Sequence, residues 1–293
     1  MIVRMFNFWY FFWIFVCVGL TVGLYFWLRN KSDKTKKTVI FSILAFALAL
    51  HFFKLIFPPY DTNDLMRYRD SWFINICGAN IFLFPFLFLS KSKYVKDYIF
   101  YLGLIGGGLA LLYPTEALNK TLENPLIFDT VRFYLHHIIL FMAPLLMVLL
   151  GLHKISWRRV LSCPTGLLLL MLFIMLNQVL QSELGFVNLR GDDFLGIGYK
   201  NTSFIWGPGD DSLAQIFVIF CPGIFRTVPV GPYAGQEKFW PWFWLIVPVY
   251  VYLTTLAFLI SMIFDHKGFK DDLRRLIFKA KLVLNKKSNG GEQ

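Results

Sequence analysis

Apolar stretches of about twenty residues recur along this chain, and that is the length an α-helix needs to cross a hydrocarbon core of about 30 Å. Seven of them lie near residues 6–28, 38–57, 71–90, 98–113, 130–152, 160–180 and 240–264. In lipid a backbone group without an internal partner costs several kcal/mol, roughly, so these runs are expected to be helical. The fold expected over residues 1–264 is therefore all-α: a polytopic membrane helix bundle of seven transmembrane helices. Composition bears on this at one point, since only 16% of the 293 residues are charged, against about 25% in a soluble domain. The runs leave no room for a separate soluble domain. The first is preceded only by Arg4 and followed by no small-residue cleavage site, so it is expected to remain as a span.

The net charge of +11 does not point to nucleic acid, because the basic residues sit in particular loops. Arg29, Lys31, Lys34, Lys36 and Lys37 follow the first run; Lys91, Lys93 and Lys96 follow the third; Lys154, Arg158 and Arg159 follow the fifth. The alternate loops are mixed or acidic, with Asp61, Asp64 and Asp70 against Arg67 and Arg69, then Glu116, Glu123 and Asp129 against Lys120. Positive-inside bias then gives an N-out, C-in orientation. Residues 181–239 form a long outer segment, in which 213–228 is apolar but broken by Pro222 and is expected to be an interfacial or re-entrant helix. Its acids Asp192, Asp193, Asp210 and Asp211 lack the spacing of a calcium loop. The tail, 265–293, places Phe269, Leu273, Leu276, Ile277, Ala280 and Leu284 at helical spacing among Lys and Arg. That pattern is a basic amphipathic helix suited to anionic inner-leaflet lipid.

Four cysteines, Cys17, Cys77, Cys163 and Cys221, show no paired spacing and have no His or Cys at metal-ligand distance along the chain, so neither a disulfide framework nor a metal site is expected. Cys77 differs from the rest in its surroundings. Asn75, Gly78 and Asn80 crowd around it in the first half of an otherwise apolar run. By rise per residue, Cys77 lies roughly 9 Å below the outer edge of its run, and His136 and His137 lie roughly 9 to 11 Å below the edge of theirs. Asn177, Gln178 and Gln181 end the sixth run on the same side, and Arg132 stands one turn above His136, where a guanidinium suits a phosphate. A Cys beside a His is the arrangement of an activated thiolate, with an amide to steady an oxyanion. The same residues also suit a structural polar cluster or the lining of a solute site. His51 reads equally as packing or function, and Lys54 as a side chain snorkelling to the interface.

Several segments resemble the bacterial YwaF-type integral membrane proteins, which are similar to the eukaryotic transmembrane protein 164: SWFINICGAN, YLGLIGGGLALLYPTE, RFYLHHIILFMAPLL and FWPWFW, in that order. The resemblance covers most of residues 71–159 and returns near the last run. It matches Cys77 to the family's cysteine and His137 to its histidine, with His136 beside it. Asn75 stands where a histidine is common. The resemblance implies seven spans and a cysteine-dependent acyltransferase that remodels glycerophospholipids. Cys77 and His137 would then be catalytic; His136, Asn75, Asn80, Asn177 and Gln178 would support them, and Arg132 would hold the headgroup. With a lipid acyl donor no cofactor is expected, and in a bacterium the location would be the cell membrane. The alternative is a membrane transporter or ligand-binding protein with the same polar cluster lining its site.

Overall fold

The computed structural model describes residues 3–58, 60–61, 72–73, 75–114, 126–185, 203–209 and 212–289. They form eight helices, named here α1 (Phe8–Leu28), α2 (Asp33–Phe53), α3 (Ile76–Phe88), α4 (Lys93–Leu112), α5 (Phe128–Leu149), α6 (Ser162–Glu183), α7 (Ser212–Val218) and α8 (Ile246–Asn289). No strand occurs among the described residues. Six helices are long and apolar enough to cross a membrane: α1, α2, α4, α5, α6 and α8. The seventh run, expected over 71–90, holds a helix of 13 residues, about 20 Å long and short of a bilayer core on its own. It begins at Ile76 because Asn75 caps it, the side-chain oxygen accepting from Gly78 N at 2.7 Å.

Burial grades the helices. In α5 67% of the span is buried against 22% in α1, so α5 is central and α1 peripheral. The contact between α4 and α5 follows from glycine. A Cβ on Gly103 would lie 2.5 Å from Leu140 O, and one on Gly107 would lie 3.1 Å from His137 O. Only glycine lets the two backbones approach this closely. Pro144 has no N–H to donate to Leu140 O, and it is onto this carbonyl that Gly103 packs. Gly103–Gly107 form a π-helical turn within α4, a local device common at functional sites.

Long-range contacts define two ends. At one, Lys36 Nζ donates to Leu150 O at 3.2 Å, Arg159 is paired with Asp97, and Arg158 Nε donates to Asp272 at 2.6 Å. The loops read as basic therefore gather at one end. At the other, Phe57 stacks on Phe128 at 4.0 Å, and Ile76 N donates to Ser203 Oγ at 3.0 Å. The long segment between α6 and α8 is anchored here by Trp244, fully buried, whose Nε1 donates to Phe204 O at 3.0 Å. Within it α7 has 7 residues and stops at Val218, well before residue 228. Residues 186–202 and 210–211, with Asp192, Asp193, Asp210 and Asp211, lie outside the described residues. The last helix, 44 residues long, carries the tail as its continuation past a kink at Asp265. On the tail Leu273, Leu276 and Ile277 are exposed.

Candidate functional site

The end opposite the basic loops holds a buried polar cluster built from α2, α3 and α5. On α5, Asp129, Arg132 and His136 fall on one face because their spacings of three and four residues match the helical repeat. Arg132 Nη2 donates to Asp129 Oδ1 at 2.5 Å and to Tyr60 OH at 3.3 Å, and its Nη1 approaches His136 Nδ1 at 3.4 Å. The guanidinium expected to meet a headgroup is thus already paired with a buried carboxylate. Lys54 places its ammonium 4.8 Å from the Tyr60 ring centre and is buried. This overturns its reading as a snorkelling side chain, since a lysine reaching the interface would be exposed.

His51, buried on α2, is the residue that sequence reasoning left undecided. Its ring centre lies 5.9 Å from that of His136. Its Cε1 is also 3.6 Å from where a Gly78 Cβ would stand. His51 therefore bridges α5 to the first turn of α3, the turn that carries Cys77. Cys77 is the second residue of α3 and is half-buried, whereas Cys17, Cys163 and Cys221 are buried. Backbone N–H groups at such a helix start favour an anion.

The adjacent histidines on α5 are held differently. His137 Nδ1 lies 2.7 Å from Phe133 O. A carbonyl only accepts, so as a neutral imidazole His137 carries its proton on Nδ1 and leaves Nε2 unprotonated. His136 faces a guanidinium, which only donates, so its Nδ1 accepts and its proton sits on Nε2. That Nε2 is buried and has no hydrogen-bond partner among the described residues. The two neighbouring rings thus hold their protons on different nitrogens.

The amides divide. Asn75 caps α3 through its Oδ1, and Asn80 accepts from Tyr98 OH at 2.8 Å. Asn177 accepts from Trp72 Nε1 at 3.0 Å and donates to Phe73 O at 3.4 Å. Gln178 is buried on the same turn of α6. Asn75 and Asn177 thus hold the start of α3 and the residues just ahead of it, and Asn80 ties α3 to α4. No group of three or more His, Cys, Asp or Glu side chains is placed to hold a metal ion among the described residues.

An all-helical integral membrane protein with a cluster of Asp129, Arg132, His136 and His51 at one end, beside the helix turn that carries Cys77, is the class these features define. The chain belongs to the TMEM164 family, whose sequence model matches residues 4–202. That match spans α1 to α6 and so includes Cys77 and both α5 histidines. No curated protein and no solved structure matches the chain.

Proposed function

We propose that the chain is a cysteine-dependent phospholipid acyltransferase or transacylase of the bacterial YwaF type, working from an intramembrane pocket that faces outward. In this reading the apolar run at 71–90 counts as a seventh crossing, the N-terminus lies outside and the tail inside. The Cys77 thiolate attacks the carbonyl of a lipid acyl ester. A thioester bond forms, the ester C–O bond breaks, and the departing lipid oxygen takes a proton from the His137 imidazolium. An acceptor hydroxyl then gives its proton to His137 Nε2 and attacks the thioester, which returns the acyl chain to oxygen and restores the thiolate. The His136 Nε2–H is the donor proposed to steady the oxyanion in both steps.

The observation that carries this reading is the placement of Cys77. It stands half-buried at the start of α3, against which His51 of α2 packs, and the His51 ring in turn meets His136 of α5, the helix that also carries His137, while the other three cysteines are buried. The test is intermediate trapping. Purified protein in vesicles with a radiolabelled acyl lipid should acquire a hydroxylamine-labile label, and Cys77→Ser should lose both the label and turnover. Cys163→Ser should keep both. Label and turnover in Cys77→Ser at wild-type level would end the proposal. The orientation rests on the Lys and Arg asymmetry, and labelling of a Lys34→Cys protein by an impermeant reagent from outside the cell would reverse it.

A further inference from the structure

Two cavities meet at Arg158 and Arg159, at the end of the bundle away from Cys77. The larger, about 730 Å³, is an apolar groove between α3, α4 and α6 whose walls include Leu83, Leu87, Leu169, Leu170 and Phe173. The smaller, about 300 Å³, lies among the loops and is lined by Lys93, Lys154 and the same two arginines, with Asp265 also at its wall. The groove opens sideways, since Leu161, Leu169 and Phe173 are exposed. From Leu161 to Phe173 it follows α6 for roughly 18 Å, a length suited to an acyl chain.

The charges in the smaller cavity are unevenly matched. Arg159 is paired with Asp97, Arg158 with Asp272, and Asp265 accepts from Trp157 N at 3.1 Å. Lys93 and Lys154 are exposed, and neither has an ion-pair partner among the described residues. A cationic recess thus continues into an apolar trough, at the level where the chain turns from span to basic loop. An amphiphile with one anionic head complements both halves at once, whereas a soluble anion fills only the recess and a neutral lipid only the trough.

We propose that this composite cavity is a binding site for an anionic glycerophospholipid, with an acyl chain in the groove and the headgroup phosphate at Lys93, Lys154 and the outer edge of Arg158. The site is separate from the cluster around Cys77 and does not depend on acyl transfer. The experiment is native mass spectrometry of the full chain released from bilayers of equal phosphatidylglycerol and phosphatidylcholine. Wild-type protein should retain phosphatidylglycerol preferentially, and Lys93→Gln with Lys154→Gln should reduce that retention by on the order of tenfold. Leu169→Trp, which fills the groove from an exposed position, should reduce retention of either lipid. Asp272→Asn breaks the Arg158 pair without removing a cation and should leave retention intact. Equal retention of the two lipids overturns the proposal, as does unchanged retention in the lysine pair. Displacement of the lipid by millimolar glycerol 1-phosphate also overturns it, because the recess would then be a head-only anion site.

Discussion

The two ends of the bundle each bury charge, and they finish the arrangement differently. At the end where the basic loops gather, Asp97 is fully buried and both of its oxygens are engaged, one by His153 Nε2 at 2.6 Å and the other by Arg159. Arg159 also donates to Lys154 O at 2.8 Å. At the other end Asp129 and Arg132 make a comparable pair, but it abuts a histidine whose remaining nitrogen has no partner among the described residues. A buried network with its members satisfied fixes a structure, and removing one member leaves an uncompensated charge. A network with a donor left over carries a standing desolvation cost, which is tolerated where a ligand or transition state completes it. Under the proposed function the first end serves architecture and the second chemistry.

That assignment breaks most readily at His137. If its Nε2 is the base, His137→Ala should lower turnover by about a hundred- to ten-thousandfold, with the melting temperature little changed. Its loss combined with Cys77→Ser should be scarcely worse than either alone, because nucleophile and base act as a unit. Asp97→Ala should do the reverse. Removing the carboxylate strands Arg159, for a cost of about 3–5 kcal/mol. Thermal unfolding in detergent should record that loss, while the protein that remains folded turns over at the wild-type rate. A large drop in turnover per folded molecule would show that the Asp97 network reaches the chemistry after all. His136 separates donor from base: His136→Leu should cost about a hundredfold in turnover, and His136→Gln, which keeps an N–H near the same place, should recover much of it.

The spans were legible because lipid imposes a length and a composition that can be counted along the sequence. The close packing of α4 was legible from its glycines for the same kind of reason. What the sequence concealed was pairing across distance. Asp97 reads as one more charge in a basic loop, and its partners lie 56 and 62 residues away. His51 is visible as an intramembrane histidine, yet only the packing of α2 on α5 brings it to His136 and to the α3 turn. Asn75 has a role that the sequence reading passed over. Asparagine ahead of an apolar run is a favoured helix cap, and its proximity to a cysteine drew attention to oxyanion chemistry instead. The run over 71–90 shows the limit of counting, since composition marks it as a span while the described helix starts only after that cap.

The finest separation of the two ends comes from Gly78, where stability and activity should move apart. Glycine within a helix costs up to about 1 kcal/mol relative to alanine, so Gly78→Ala gains intrinsic helix stability. The added methyl would stand 3.2 Å from Asn75 Oδ1 and 3.6 Å from His51 Cε1. The first distance asks the cap to give by a few tenths of an ångström, which offsets part of the gain, and the second leaves His51 in ordinary contact. The expected net change in stability is within about 0.5 kcal/mol. Cys77 is the neighbouring residue, however, and a shift of the cap moves the first turn of α3 that carries it. Turnover tolerates little displacement of a nucleophile, so a loss of several-fold is expected, carried by the chemical step and visible as slower labelling of Cys77 by acyl donor. Gly166→Ala is the matched control in the groove half, where a Cβ would lie 2.3 Å from the Tyr98 ring. It should destabilise the bundle more than Gly78→Ala does, and slow acylation by the folded protein less, because Tyr98 reaches α3 at Asn80, a turn beyond Cys77. If Gly78→Ala acylates at the wild-type rate, the geometry of the α3 turn does not govern the reaction.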